Sequence, residues 1–396
     1  MRAVIIKRAE SSRLIPASQG YAVTRALTAM GTVPRGFNSA EKGVMKRLLA
    51  IDGGGIRGVL ALEILREMEA AVRLRHGVAL HEYFDLIAGT STGAIIATCL
   101  AWGMTVEQVA TLYRERAADI FAPNVWYRRH KSRYRNDRFD IFLREALSEA
   151  DGSPATLDTT RLKTLLLIVL RNATTGSPWP LCNNPAAQFN DRTRPDCNLD
   201  LPLWQIVRAS TAAPTYFGPE RLALGNQRHH FIAGGVSPYN NPSQIAFLFA
   251  TLPEYRIGFE TGEDKLLLVS VGTGMSRKYP MPMSVEKMNV LDQVKFSFNL
   301  LLDSVTAHED MLCRLWGRCL VGDMIDSELG DLKQNALISQ KLFTYVRYNR
   351  LFSQEEIIDP ALGNLLELDN LGAMDFLRDS GAAYAKNSVK EEHFFD

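Results

Sequence analysis

Short apolar segments that end in glycine recur along this chain, and they constrain its fold more than any other feature. RLLAID (47–52), YFDLIAG (83–89) and KLLLVSVGTG (265–274) each read as a strand that runs into glycines. Apolar residues at helical spacing follow the first segment up to about His76, and the helical segment GAIIATCLAW (93–102) follows the second. Strand, loop and helix in this order predict an α/β domain with a mainly parallel sheet.

A fully apolar segment, LKTLLLIVLRN (162–172), predicts a strand that is buried on both faces. Such strands are typical of parallel sheets that lie between two layers of helices. Beyond it, the spacing predicts a helix over 203–214, a strand end at 231–235 and a helix over 243–252. These elements continue the α/β order and contain no internal repeat.

We divide the chain into three parts. Residues 1–44 contain only two acidic residues and no sustained period, so a transit-type leader, an ordered arm and an upstream start codon all fit. We expect a peripheral N-terminal arm without catalytic residues. Residues 45–285 hold the alternating strands and helices and are the expected catalytic domain. Residues 286–396 are more helical, with a strand expected at 343–349, and are the expected C-terminal cap of the same domain.

The composition excludes several classes of protein. A net charge of +1 provides no overall field to attract nucleic acid, so we expect no nucleic-acid partner. Five cysteines, an odd number without CxxC spacing, argue against a disulfide framework or a zinc site, and we expect no metal. The longest aliphatic run, 165–170, is too short to cross a membrane. We therefore expect a cytoplasmic protein that contacts a bilayer only peripherally.

The strongest chemical signal is IAGTSTGAIIA, in which Gly89, Ser91 and Gly93 match the pattern G-x-S-x-G. The pattern lies directly after a predicted strand and directly before a predicted helix, which is the context of a nucleophile elbow. The glycines permit a strained turn that exposes the Ser91 hydroxyl, and the helix N-terminus favours negative charge nearby. An ordinary glycine-rich turn with a capping serine or threonine is the competing interpretation.

A second glycine signature, DGGGIRG (52–58), follows the first strand. Its glycines match the dinucleotide fingerprint G-x-G-x-x-G, so a nucleotide-dependent enzyme is a competing class. That class requires an acidic residue at the end of the next strand, which here ends in Gly-Thr-Ser. We therefore predict that the glycine amides form an oxyanion hole, and that the arginine holds the loop or adds charge. The predicted segment consists of Gly53, Gly54, Gly55, Arg57 and Gly58.

A serine hydroxyl is a weak nucleophile until a base removes its proton. His229 and His230 lie just before a predicted strand, and adjacent strand residues face opposite sides, so one of them could point toward the site. We interpret one or both as solvated strand-entry residues. The position suited to a base is the strand end directly before the pair Gly234 and Gly235. The chain has Ala233 at this position, and an alanine side chain cannot accept a proton.

These segments together resemble the patatin-like phospholipase family over most of the range from 46 to about 274. The matching motifs, in order, are DGGGIRG (52–58), FDLIAGTSTG (84–93), ASTAAPTYF (209–217), GG-V-x-x-YNNP (234–242) and SVGTG (270–274). The resemblance implies a three-layer α/β/α sandwich related to cytosolic phospholipase A2, hydrolysis of acyl esters in phospholipids or related lipids, and no cofactor. By motif it implies Ser91 as the nucleophile of a Ser–Asp dyad and Gly53, Gly54 and Gly55 as the oxyanion hole.

The general base of that family is the aspartate of a D-G-G/A motif, which falls on Ala233, Gly234 and Gly235 in this chain. Both proton transfers of the dyad then lose their base, so we expect an inactive or nearly inactive chain. One explanation is an Asp→Ala substitution introduced into an active phospholipase A or lysophospholipase. The other is a natural pseudoenzyme that binds lipid or nucleotide without cutting it. The intact elbow and glycine loop favour the first explanation.

The segment WYRRHKSRYRNDRF (126–139) combines six basic residues with four aromatic residues. Basic residues near an anionic bilayer and aromatic residues at its interface are typical of peripheral membrane contact. A solvated loop and a nucleotide-binding segment are the competing interpretations. The family resemblance also permits a regulatory nucleotide. A homodimer stays open as a further partner.

Overall fold

The computed structural model describes residues 44–120, 132–134, 136–276, 289–363 and 365–395. Nine strands of the described chain form one sheet: β1 (Lys46–Ile51), β2 (Leu86–Thr90), β3 (Leu165–Asn172), β4 (Ser177–Cys182), β5 (Glu220–Leu224), β6 (Gln227–Ala233), β7 (Leu266–Val271), β8 (Arg318–Val321) and β9 (Thr344–Tyr348). Their order is β5-β6-β3-β2-β1-β7-β9-β8, and β4 pairs with β3 outside this path. The pairs from β3 through β2, β1, β7 and β9 to β8 are parallel, as predicted.

Helices cover both faces of this sheet. In chain order they are α1 (Gly58–His76), α2 (Leu80–Tyr83), α3 (Thr92–Ala101), α4 (Val106–Ile120), α5 (Asn136–Ala146), α6 (Leu203–Ser210), α7 (Ser243–Thr251), α8 (Val290–Trp316), α9 (Gln354–Ile358) and α10 (Met374–Ser388). Along β1, Leu49 and Ile51 face a core shared with α1, α3, α6 and α10, whereas Leu48 and Ala50 face a core shared with α7. The fold is therefore a three-layer α/β/α sandwich, which confirms the expected fold class.

The predicted strands and helices are present, but several of their ends differ. The strand expected at 83–89 begins at Leu86, because the residues before it form the short helix α2. The helix expected over 203–214 ends at Ser210. β4 was not predicted; it contains two prolines and pairs with β3 only, as expected for an edge strand. In the described ranges, no helix is long and apolar enough to span a membrane.

The C-terminal part of the chain contributes to the same sheet. The strand expected at 343–349 is β9, which pairs with β7 and carries β8 at its other edge. α10 packs along α1 on the outer face of the sandwich. Residues 1–43 and 277–288 lie outside the described residues, so the division into arm, catalytic domain and cap stays a prediction.

Two strands meet end to end along one edge of β3. β2 pairs with the first part of β3, up to the pair Thr90 and Val169, and β6 pairs antiparallel with the next part, starting at the pair Ala233 and Leu170. β4 pairs with residues of β3 that also pair with β2 or with β6, so β4 lies along the opposite edge of β3. The C-terminal ends of β2 and β6 therefore point at each other at consecutive positions of β3.

A buried ion pair joins three strands next to this point. The carboxylate of Asp52, directly after β1, accepts hydrogen bonds from both terminal nitrogens of Arg347 on β9, at 2.9 and 2.6 Å. The guanidinium of Arg347 also donates to Ser270 Oγ on β7 at 2.7 Å. Both members of the pair are almost fully buried. The pair therefore ties the ends of β1, β7 and β9 together directly before the glycine loop begins.

We expect Arg347→Met to lower the free energy of unfolding by about 3–5 kcal/mol, because Asp52 would stay buried without its counter-charge. Urea denaturation followed by circular dichroism measures this loss. The double variant Asp52→Asn/Arg347→Met should recover part of it, since no unpaired charge remains. A double variant that is less stable than Arg347→Met would contradict this account of the pair.

A second buried carboxyl lies between α8 and α7. Glu309 of α8 is 2% exposed. The side-chain amide of Gln244 on α7 lies 2.9 Å from both carboxyl oxygens. Burial raises the pKa of Glu309 from its ordinary value of 4.5 to about 8. The folded chain therefore holds this proton at pH values where the unfolded chain releases it.

Because the folded-state pKa is raised, the stability that Glu309 contributes is fully present below pH 4.5 and is lost as the pH rises towards about 8. We expect Glu309→Gln to remove on the order of 2–4 kcal/mol of this pH-dependent loss. Urea denaturation of both proteins at pH values of about 5 and about 9 measures the difference. An unchanged pH dependence in Glu309→Gln would show that Glu309 titrates normally.

Candidate active site

Ser91 lies in the turn between β2 and α3 and has a strained backbone. Its φ of 54° and ψ of −121° fall in a region that residues with a side chain rarely occupy. A Cβ at Gly89 would lie 2.2 Å from the carbonyl oxygen of Gly93, and a Cβ at Gly93 would lie 2.1 Å from that of Ile51. The two glycines therefore permit the close packing that holds Ser91 in this turn, and the geometry is that of a nucleophile elbow.

The backbone amide of Ser91 is held from the neighbouring helix. It donates to Ser210 Oγ on α6 at 2.9 Å, and Ser210 Oγ donates to the carbonyl oxygen of Val169 at 2.7 Å. This contact fixes the elbow against β3. Ser210 belongs to the motif ASTAAPTYF, but nothing in the motif alone indicates this role.

The glycine loop presents two of its three predicted donors. The N–H of Gly53 donates to the carbonyl oxygen of Asn240 at 3.0 Å, so the expectation that it serves an oxyanion is corrected. The N–H of Gly58 caps the preceding turn by bonding to the carbonyl oxygens of Gly55 and Ile56. The N–H groups of Gly54 and Gly55 have no acceptor in the described part of the chain, and both residues line the pocket at Ser91.

Arg57 holds the loop and does not line the pocket. Its buried guanidinium donates from Nη1 to the carbonyl oxygen of Gly274 at 3.0 Å and from Nε to that of Gly54 at 3.4 Å. Of the two roles considered for this arginine, the contacts match the first.

A further free amide lies on the elbow side of the pocket. Thr92 begins α3, and its N–H has no acceptor among the described residues. The hydroxyl of Tyr113 on α4 donates to the carbonyl oxygen of Gly55 at 2.5 Å and shares a 2.7 Å hydrogen bond with Thr92 Oγ1. Burial raises the pKa of Tyr113, so its hydroxyl stays protonated. Tyr113 therefore links the glycine loop to the first residue of α3, a role that no sequence motif indicated.

Ala233 ends β6 and lines the same pocket as Ser91. Its N–H donates to the carbonyl oxygen of Ala212 at 2.9 Å, and its methyl group offers no acceptor for a proton. A Cβ at Gly234 would lie 2.1 Å from the carbonyl oxygen of Val169 and 3.0 Å from the methyl group of Thr90. The loop after Ala233 therefore packs closely against β3 and also contacts the end of β2, the strand that leads to Ser91.

No histidine is placed to serve Ser91 in the described chain. His229 and His230 lie four and three residues before Ala233, respectively, about 10 Å or more along the strand. His230 is exposed, as expected for a solvated residue. His229 is buried instead, because it packs against Trp179 and contacts Asn172 at 3.1 Å.

The pocket in front of Ser91 is mostly apolar. It encloses about 590 Å³ of space, part of it open to solvent. Gly54, Gly55, Ser91 and Thr92 form its polar end together with Asn240. Large apolar side chains form most of the remaining wall, among them Ile95, Phe139, Phe217, Phe298, Leu302 and Leu368. Such a shape suits a ligand with a hydrocarbon chain and one polar group.

The described part of the basic segment is less exposed than we expected. Residues 126–131, with Trp126, lie outside the described residues. Tyr134 and Phe139 are buried, so they are not available as interfacial aromatics. Arg133 forms a 2.8 Å ion pair with Asp369.

Comparison with known proteins agrees with this geometry. A model of the family described as patatin-like phospholipase matches residues 49–247, which is half of the chain. The chain is 34% identical over 222 residues to calcium-independent phospholipase A2-gamma of Rattus norvegicus, covering 53% of this chain and 27% of the relative. It is 30% identical over 238 residues to the cGAMP-activated phospholipase of Escherichia coli (strain TW11681), covering 57% and 62%.

A third relative is the probable inactive patatin-like protein 9 of Arabidopsis thaliana, which is 26% identical over 250 residues, covering 60% of this chain and 62% of the relative. The chain thus spans between about a quarter and three fifths of the length of these relatives. The range matched by the family model includes the glycine loop, the elbow and position 233. Fold, motifs and match agree, and the chain belongs to the patatin-like phospholipase family.

Proposed function

We propose that this chain is a lipid acyl hydrolase of the phospholipase A or lysophospholipase type, with Ser91 as its nucleophile. One observation carries the proposal: the strained elbow, the end of β6 and three free amides surround one apolar pocket. Family membership supports a lipid hydrolase but does not identify the bond that is cut.

In this proposal the acyl chain lies in the apolar part of the pocket, and its ester carbonyl lies between Ser91 and the free amides. Ser91 Oγ attacks the carbonyl carbon, and the oxyanion accepts hydrogen bonds from the N–H groups of Gly54, Gly55 and Thr92. The alcohol part of the lipid then leaves with a proton, and water hydrolyses the acyl-enzyme.

A base must take the proton of Ser91 Oγ during the attack and a proton of water during hydrolysis of the acyl-enzyme. We assign the position of this base to residue 233. The end-to-end arrangement of β2 and β6 brings this position next to the elbow. With Ala233 the chain binds lipid but hydrolyses it very slowly or not at all. The elbow keeps its strained φ, and an unused site has no reason to retain that strain, which supports loss of a single aspartate from an active enzyme.

The second candidate is a pseudoenzyme that binds lipid without cutting it. The relative from Arabidopsis thaliana is described as a probable inactive protein, and this supports the second candidate. The name of the relative from Escherichia coli, a cGAMP-activated phospholipase, supports regulation by a nucleotide. For both candidates we propose a cytoplasmic location with peripheral membrane contact through basic residues of the segment 126–139.

We expect Ala233→Asp to raise the rate of fatty-acid release from phospholipid vesicles by on the order of 10⁴- to 10⁶-fold, because the carboxylate supplies the missing base. Mass spectrometry of the released lipids measures the gain and identifies the acyl position. The matched control is Ala233→Asn, which has nearly the same shape but cannot take the proton.

The variant Ser91→Ala/Ala233→Asp should lose the whole gain. If this double variant released fatty acid as fast as Ala233→Asp does, Ser91 would not be the nucleophile. Vesicle binding without any gain in Ala233→Asp would favour the pseudoenzyme.

We also expect the chain to sediment with anionic vesicles, and binding to weaken with added salt. Each basic residue near such a surface contributes about 1 kcal/mol, so replacing Arg128, Arg129 and Lys131 by alanine should cost about 3 kcal/mol. Alanine at three exposed basic positions elsewhere is the matched control; these are Arg221, Arg228 and Lys390. Equal loss in both triple variants would argue against a specific role for 126–139.

A further inference from the structure

Hydrogen bonds to the carbonyl oxygen of Gly53 orient the glycine loop. In a trans peptide the carbonyl and the following N–H point in opposite directions. The carbonyl oxygen of Gly53 accepts from Thr273 Oγ1 at 3.1 Å and from Asn240 Nδ2 at 3.3 Å. The N–H of this same peptide belongs to Gly54. Asn240 and Thr273 therefore aim the Gly54 N–H by holding the opposite end of its peptide.

Asn240 contacts both of the loops that form the site. Its own carbonyl oxygen accepts the N–H of Gly53 at 3.0 Å. Its Oδ1 would lie 2.4 Å from a Cβ at Gly53 and 2.7 Å from a Cβ at Gly235. The side chain thus occupies the space that two glycines leave open, one in the glycine loop and one in the loop after Ala233. Asn240 sets the separation of these loops.

Asn240 is in turn held by helix α8. Its Nδ2 donates to Thr306 Oγ1 at 2.9 Å, and both side chains are buried. Phe298 and Leu302 precede Thr306 at intervals of four residues, so all three lie along one face of α8. Phe298 and Leu302 form part of the apolar wall of the pocket. One helix face therefore contacts both the expected acyl chain and the residue that orients an oxyanion donor.

We propose that Asn240 is a positioning residue for the Gly54 N–H, and that α8 links filling of the acyl pocket to this orientation through Thr306. The inference rests on the proposed function. An acyl chain that packs against Phe298 and Leu302 holds α8 in place, and α8 then holds Asn240. A chain too short to reach α8 leaves the donor less well aimed, so acyl length affects the rate of the chemical step as well as binding.

The first test does not depend on activity. In Thr306→Val, the amide ¹H and ¹⁵N shifts of Gly54 should move, because Asn240 links Thr306 to the peptide of Gly54; selective glycine labelling identifies the signal. The matched control is Thr164→Val, which removes another buried threonine hydroxyl bond, to the carbonyl oxygen of Phe84. Thr164 lies directly before β3, at the opposite end of the sheet. An unmoved Gly54 signal in Thr306→Val overturns the proposal.

The second test uses the Ala233→Asp background. There Thr306→Val and Asn240→Ala should each lower kcat for long-chain esters by about 10- to 100-fold, with KM changed less than about 3-fold, because a misaligned donor acts mainly on the charged intermediate. Thr306→Ser should restore kcat, and Thr164→Val should leave it unchanged. The increase of kcat with acyl length should disappear in Thr306→Val.

The outcomes separate the two proposals. A Gly54 signal that moves, in a chain where Ala233→Asp hydrolyses nothing, supports the positioning contact and refutes the proposed function. Active Ala233→Asp with kcat unaffected by Thr306→Val refutes the positioning role alone. A KM that rises as much as kcat falls would assign Thr306 to the wall of the pocket, which also overturns the proposal.

Discussion

The site depends on the way in which β3 divides one of its edges between two strands. β2 pairs with the first residues of that edge and β6, running in the opposite direction, with the next ones. Two strand ends thus meet within a continuous hydrogen-bonded framework, and the backbone of β3 defines their separation. A serine after one end and a side chain at the other become neighbours without a flexible loop between them.

The remaining architecture stabilises this meeting point. The pair of Asp52 and Arg347 fastens the end of β1, where the glycine loop begins. Tyr113 fastens the carbonyl of Gly55, and Ser210 fastens the amide of Ser91. Each contact uses a buried polar group whose partner is present, and such contacts specify one geometry more strictly than apolar packing does. The free amides that remain are therefore the exception in a densely bonded region.

Local patterns predicted the fold class and the two glycine turns, because each is encoded by neighbouring residues. The elbow was recognisable from Gly89, Ser91 and Gly93. The buried strands were recognisable from their runs of apolar residues. The long-range hydrogen-bond partners were not recognisable, since Asn240 and Thr306, for example, lie 66 residues apart and no spacing rule joins them. The same limit explains Gly53, whose amide looked free in the motif but is used by the backbone of Asn240. Catalytic roles of individual residues stay predictions.

The side chain of Asn240 lies where Cβ atoms at Gly53 and Gly235 would be. Two motifs that are far apart in the chain therefore pack against the same side chain. A larger residue at either glycine would displace the side-chain amide of Asn240 and thereby disturb the other loop. A substitution in one motif therefore affects the other. Across homologous sequences, the two glycines and the asparagine should vary as a single unit, and a chain that has lost one of them should show relaxed constraint on the other two.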